Sequence, residues 1–543
     1  MNKSEEPRIG AFRATAETHS VHNVVPVFED YNAWAGDPSL RQAMKMLGGE
    51  ALGEVLSDYG AHTGSAAMIA RGFTANAHPP VLYTHDRVGQ RIDRVDYHPA
   101  YHELMADAIG RGIHALPWDG TGSHLERAAM LYLQTQVEQG HGCPLTMTFA
   151  SVPVLRQVPE IADTWLPRVL SRHYDPRDLP IERKRGATIG MAMTEKQGGS
   201  DVRANTTFAQ PVSEPGSGRL YELVGHKYFM SAPMCDGFLT LAQTEEGLSC
   251  FLVPRWCPDG QKNRLYLQRL KNKLGNISNA SSEVEFRAAQ GWLIGEQGRG
   301  VATILEMVAL TRFDCTVASA AAMRQAFVQA RHHCEYREAF GARLSEQPLM
   351  RAVLTDLELE SDAALALSLR LAAALDRAAE PAERALFRLG AALGKYRVCK
   401  QVPAHNHEAM ECIGGSGVMD EHLCARLYRE APINAIWEGS GNVQCLDILR
   451  ILERTPDCLA DWRLRVSEAR SEVPALAALM ASVDELLGLD APTLVYHGRR
   501  LGDLLALGLQ TVCLSQLLSP ARARLFAESR LQAGRGNYGS FGV

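Results

Sequence analysis

One change of texture constrains the fold of this 543-residue chain more than any other feature. Between about Arg185 and Gly291 the apolar residues fall in short β-like runs: "YELVGHKYFM", "GFLTLAQT", "LSCFLVP", "LYLQRL" and "SSEVEFR". Turn chemistry such as "SEPGSGR" separates them, which predicts a compact antiparallel barrel or sandwich. On both sides the pattern is helical. "LGEVLSDYG", "YHELMADAIG" and "LERAAMLYLQTQVEQG" carry it before the block. Ala/Leu-rich tracts from Val301 to about Leu375 and from Arg384 to Glu411 carry it afterwards, and a further helix is predicted after Gly441. "HGCPLTMTFASVPVL", with Pro144 and Pro153, reads as an interruption of the first helical part.

The order α, β, α, α predicts an α+β chain too long for one core. Its expected parts are residues 1–185, helical with an extended N-terminal arm; 186–292, the β domain; 293–453, a helical bundle; and 454–543, an additional helical segment. No stretch approaches about 18 uninterrupted apolar residues, so no membrane span is expected. The acidic N-terminus lacks an apolar signal region. The 12 cysteines form no C-x-x-C pair and are expected as reduced thiols in a cytoplasmic protein. His332-His333 and His405-Asn-His407 lack partners at ligand spacing, so no metal is expected. A net charge of −6 means that any nucleic-acid partner must be met by a local patch.

Three stretches carry candidate chemistry. In "MAMTEKQGGSDV", Thr194 and Ser200 flank Gly198-Gly199, whose bare backbone can approach a phosphate or a ring edge, or can simply turn between strands. In "ECIGGSGVMDEHLCARLYRE", three glycines break a helix, and the turn that follows carries Arg426 and Arg429. In "AIWEGSGNVQ", Glu438 stands beside Trp437 and before Gly-Ser-Gly-Asn. Locally, Gly-Ser-Gly-Asn before an apolar helix favours a turn or helix-capping residue over a carboxylate base.

Together these stretches resemble the acyl-CoA dehydrogenase family. Met193, Thr194, Glu195, Gly198, Gly199, Ser200 and Asp201 fit its first motif. Glu411, Gly414, Gly415, Gly417, Glu421, Arg426 and Glu430 fit its second, and "YREAFG" fits its Arg-x-x-Phe-Gly element. "KLGNISNASSEVEF", "LTRFD" and "NAIWEGSGN" are similar to the AidB branch, associated with the bacterial response to DNA alkylation, as is the additional C-terminal segment. The resemblance implies a homotetramer containing FAD. Glu438 would be the base that removes an α-proton from an acyl thioester, with Trp437 as apolar wall. Met191, Ala192, Met193, Thr194, Gly199 and Ser200 would meet the flavin and its phosphates. Phe229, Met230 and Ser231 would lie by the ring, with Ser231 near N5. Gly439, Ser440, Gly441 and Asn442 would touch the cofactor near the base, and Arg337 would reach the pyrophosphate of a neighbouring subunit's flavin.

The chain departs from the family at Phe229, Ala232 and Pro348, and at Asp314, which predicts an unusually polar acyl pocket. The alternative to an alkylation-response protein is a plain dehydrogenase of a short or branched acyl-CoA, such as isovaleryl-CoA. From Arg499 onwards arginines outnumber local acids, Asp503 and Glu528. Arg450, Arg522, Arg524 and Arg535 are therefore candidates to bind double-stranded DNA without sequence preference.

Overall fold

The computed structural model describes residues 18–531. Helices α1 (Pro38–Met46), α2 (Gly53–Thr63) and α3 (Ala66–Ala77) precede an antiparallel hairpin of β1 (Val81–His85) and β2 (Arg91–Asp96). Then come α4 (Pro99–Gly110), α5 (His124–Thr135), α6 (Gly142–Leu155) and α7 (Pro159–Val169). Side-chain caps set several starts: Asp37, Ser65 and Ser123 accept from Leu40, Met68 and Glu126 N–H.

Two expectations are corrected in this part. The β1–β2 hairpin is an addition to the expected helical part; Val95 is its one buried apolar residue, so its strands show no apolar run. It is fastened to the sheet domain, with Arg91 donating to the Leu267 carbonyl and Lys262 to that of Ile92. The "HGCPLTMTFASVPVL" stretch is not an interruption but α6 itself. Pro144 lies in the first turn, where no N–H is required. Pro153 leaves the Phe149 carbonyl without its helical donor, and the Trp118 indole supplies one at 2.9 Å. Because α6 is buried on nearly every side, it has no polar face to reveal a helical period.

The middle of the chain is a seven-stranded sheet: β3 (Ile189–Ala192), β4 (Phe208–Pro211), β5 (Leu220–Ser231), β6 (Gly237–Thr244), β7 (Gly247–Pro254), β8 (Leu265–Leu270) and β9 (Ser281–Ile294). It closes on itself because β7 pairs with both β6 and β9. The antiparallel expectation needs amending around β6, which pairs in parallel with β3, from Ile189↔Gly237 to Ala192↔Thr240, and with β4 at Phe208↔Gln243. The chain leaves β3 through a loop and two further strands before reaching β6, as a parallel pairing requires.

Helices α8 (Gly300–Tyr336), α9 (Pro348–Asp376) and α10 (Pro381–Ile413) pack against one another, followed by α11 (Leu423–Glu430), α12 (Ile433–Ile436) and α13 (Gly441–Arg454). The chain continues through α14 (Pro456–Ala469), α15 (Ala475–Leu487), α16 (Ala491–Tyr496), α17 (Gly498–Leu517) and α18 (Pro520–Leu531). Helix α17 lies on α9 and α10, so the C-terminal helices share the core of the bundle, as do α1–α5. A second core joins α6 and α7 to the closed sheet. Among the described residues no helix is long and apolar enough to cross a membrane.

Candidate functional site

Glu438 lies on the link between α12 and α13, with φ at 57°, a left-handed conformation that disfavours a side chain. Such strain, on the order of 1–3 kcal/mol, persists only where the surroundings fix it. Arg312 Nε and Gln444 Nε2 both donate to the Glu438 carbonyl at 3.0 Å, and Lys395 Nζ donates to that of Gly439 at 3.2 Å. Arg312 is itself anchored on Asp447 at 2.7 Å. The Glu438 carboxylate accepts a hydrogen bond from Thr311 Oγ1 at 2.8 Å. Burial pushes this carboxyl above its ordinary range; Thr311, Arg312 and Lys395 pull back part of the way. The result is a carboxylate without a direct ion-pair partner among the described residues, with the raised basicity that proton abstraction requires.

Beside it lies a cavity of about 60 Å³ between α5, α6, α8, α10 and α11, walled by Leu131, Cys143, Ala318, Val402, Ala431 and Trp437 among others. Asp314 is in its lining but does not make it the polar pocket predicted from sequence. Both Asp314 oxygens bind the Arg127 guanidinium, at 2.7 and 2.6 Å, and Thr146 adds its hydroxyl. Arg127 is 0% exposed and lies 3.3 Å from the Phe149 ring centroid. The charge is thus neutralised within the wall. Glu430, also in the lining, is pushed up to about 7 by burial and accepts from the Asn276 N–H. Burial pushes the Cys143 thiol up to about 11, with Ser231 near enough to lower it in part and Glu438 near enough to raise it. Cys143 therefore connects two stretches that are 207 positions apart in the sequence, Ser231 and Glu438.

The first motif leaves β3 and stays beside β5: the Thr194 carbonyl accepts from the Tyr228 N–H at 2.8 Å. Its acid, Glu195, is 0% exposed and pairs with Lys227 at 2.9 Å while accepting from the Thr206 and Thr207 N–H groups. Burial raises its pKa, but these bonds together hold it well below the usual carboxylate range. Glu195 is a clamp on the loop, a role the motif alone did not reveal. At Gly199 an added Cβ would lie 2.4 Å from Thr194 Oγ1, whereas Gly198, at φ 144°, faces open space. Met191, Met193, Thr194 and Ser231 are half-buried, and Ser200 and Phe229 are exposed; Ala192 and Met230 are buried and present backbone only. This bare backbone, an exposed ring and the hydroxyls of Thr194, Ser200 and Ser231 make a strip that fits a planar, phosphate-bearing cofactor.

Gly439 is half-buried, Ser440 and Asn442 are exposed and Gly441 is buried, with Asn442 Oδ1 accepting from Arg499 Nε at 2.7 Å. Arg337 is not brought to this strip. It follows the far end of α8, about 37 Å along the helix from Thr311 at ~1.5 Å per residue. There it donates to the Asn23 carbonyl at 2.6 Å. Thr311, Arg312, Lys395 and Gln444 escaped the sequence reading, although Thr311 and Arg312 belong to the "LTRFD" stretch singled out there.

The C-terminal arginines form less of a surface than predicted. Arg522 is ion-paired with Asp362 and lies 3.6 Å from Glu358. Arg530 is buried against Asp356 at 2.6 Å and Glu360 at 3.0 Å. Their acids are on α9, so counting acids nearby in sequence missed them. Arg524 donates to the Glu472 carbonyl at 3.0 Å but remains exposed, as does Arg450, which is 3.3 Å from Asp447. Arg535 lies outside the described residues.

Three family models match the chain. Residues 23–176 match the N-terminal domain of the adaptive response protein AidB, 190–289 the middle domain of acyl-CoA dehydrogenases and 298–453 their C-terminal domain. The chain is 46% identical over 442 residues to AidB of Escherichia coli (strain K12), covering 81% of each protein. It is 29% identical over 466 residues to acyl-CoA dehydrogenase family member 11 of Caenorhabditis elegans, covering 81% of this chain and 73% of that one. The solved structure of the Caenorhabditis elegans protein, in complex with C11-CoA, superposes with a TM-score of 0.86 at 25% identity, covering 95% of this chain and 93% of the other.

Proposed function

Because the chain belongs to the acyl-CoA dehydrogenase family, in its AidB branch, we propose that it is an FAD-dependent oxidoreductase of a short acyl thioester with Glu438 as its base. The observation that carries this reading is the Glu438 carboxylate, raised by burial and oriented by Thr311, across Cys143 from Ser231. Bound FAD supplies the hydride acceptor. Backbone from Met191 to Thr194, the Gly198-Gly199 turn, Ser200 and the exposed face of Phe229 would hold it, with Ser231 beside them. Glu438 takes the α-proton onto its carboxylate, while Arg312 and Gln444 keep the strained backbone from relaxing. Trp437 and the cavity wall exclude water and locate the acyl group.

The size of the cavity beside Trp437 supports a small acyl group. Each water-sized position takes roughly 10–15 Å³ of such volume, so about four or five non-hydrogen atoms fit. A short or branched acyl group suits this space better than an eleven-carbon chain. Replacing Glu438 with glutamine tests the assignment. FAD should stay bound, and flavin bleaching by a panel of short acyl-CoAs should stop, because the amide cannot accept the proton. Bleaching at the parent rate would require another base.

A homotetramer in the cytoplasm belongs to the same reading. Phe340 (99% exposed), Leu349 (85%) and Val418 (65%) stand at the end of the bundle where α8 and α10 stop and α9 starts. An uncovered apolar end suits subunit contact. Arg337, too far from its own Glu438 to share a flavin with it, would then serve a neighbour.

The likeness to AidB supports a second reading, a role in the response to DNA alkylation through binding of duplex DNA. With Arg522 held internally, its basis on the described surface is the exposed Arg450, Arg500 and Arg524.

A further inference from the structure

Lys273 is a largely enclosed lysine with no carboxylate in ion-pair reach among the described residues. Its ammonium donates to the Asn279 carbonyl at 2.7 Å and to Ser281 Oγ at 3.0 Å, and lies 3.4 Å from Asn276 Oδ1. Ser281 Oγ in turn lies 3.1 Å from Ser231 Oγ. Burial lowers the lysine to about 8; Cys143, Glu430 and Glu138, the charged or titratable groups facing it, act in the opposite direction. A buried ammonium is expensive to keep unless something in the site uses it.

The chemistry of the donors limits the direction of the run. An ammonium has hydrogens and no lone pair, so Ser281 Oγ can only accept from Lys273. The Ser281 hydrogen is then free for Ser231 Oγ. When Ser281 donates to Ser231 Oγ, the Ser231 hydrogen is left to point away from it.

We infer that Lys273 is a positioning residue which, through Ser281, holds the Ser231 hydroxyl as a permanent hydrogen-bond donor towards the flavin edge. The inference rests on the placement of FAD beside Ser231 proposed above. A fixed donor, backed by a cation without a direct counter-ion, favours electron density at the edge it faces. Lys273 therefore sets how readily the cofactor is reduced.

The midpoint potential of the FAD-loaded protein tests this, alongside FAD stoichiometry. Lys273→Met keeps the length of the side chain and removes its charge and donors. It should bind one FAD per chain yet favour reduction about tenfold less, a fall of about 30 mV for a two-electron couple. Ser281→Ala leaves the ammonium in place and breaks the run, and should lower the potential in the same direction. Ser231→Ala should do likewise, and Lys273→Met added to it should bring no further change, since one path is already broken. An unchanged potential in Lys273→Met or in Ser281→Ala, with FAD bound, would overturn the inference, as would full additivity with Ser231→Ala. Should Lys273→Met fail to fold, the Ser281→Ala and Ser231→Ala potentials decide the matter. A parent protein that takes up no FAD would instead defeat the cofactor placement, a failure visible before any potential is measured.

Discussion

Replacing Thr311 with valine removes one atom's chemistry and almost none of its volume. The hydroxyl donates to the Glu438 carboxylate at 2.8 Å, and the side chain sits on α8 in a residue only 1% exposed. A hydrogen bond to a charged group contributes about 1.5–3 kcal/mol. Glu438 is only half-buried, so solvent screening favours the lower end of that range. A loss of about 1.5 kcal/mol from the charged form corresponds to roughly one pH unit. The sign follows from which form is bonded: Thr311 stabilises the carboxylate, so its loss moves an already raised pKa further up. The assay is anaerobic stopped-flow bleaching of the flavin by a short acyl-CoA across pH. The acid limb of the rate profile should move up by about one pH unit, with the alkaline plateau within about twofold of the parent. Thr311→Ser, which keeps the hydroxyl, should stay near the parent profile. An unmoved acid limb, or a loss equal at every pH, would refute the reasoning: either Glu438 is not the titrating base or Thr311 serves packing alone.

Arg127→Met should cost about 3–5 kcal/mol in denaturant unfolding, because it strands the Asp314 carboxylate in the wall. Adding Asp314→Leu should recover most of that loss, and a double variant no more stable than the single would argue against a stranded charge. For the DNA reading, Arg450, Arg500 and Arg524 reversed together to Glu should weaken duplex binding. They should also flatten its log–log salt dependence by about 0.9 per lost phosphate contact. An unchanged slope in fluorescence anisotropy would remove this surface from the argument.

Periodicity and composition are local properties, and the chain displays what depends on them. Long helical tracts flank a block of short strands, and glycine-rich corners fall where backbone must turn or lie bare. The motif residues of the candidate site were named by their resemblance to a family's motifs, since the stretch around Glu438 by itself reads as a helix-capping turn. Helix α6 was not legible, because a helix buried on nearly every side has no polar face to betray its period. The β1–β2 hairpin, with a single buried apolar residue, Val95, is fastened by residues 176 and 170 positions away. The fate of a charge is likewise non-local. Arg522 reads as a free cation until folding places Asp362 beside it, 160 residues away in the chain. Asp314 reads as a polar intruder until Arg127 and Thr146 close around it. Glu438 itself was nameable from sequence; its strained backbone, its Thr311 partner and its raised pKa came from α8, α10 and α13 converging on one link. Folding decides such pairings because Coulomb and hydrogen-bond energies depend on separation in space and on exclusion of water, and neither is written in the order of the residues.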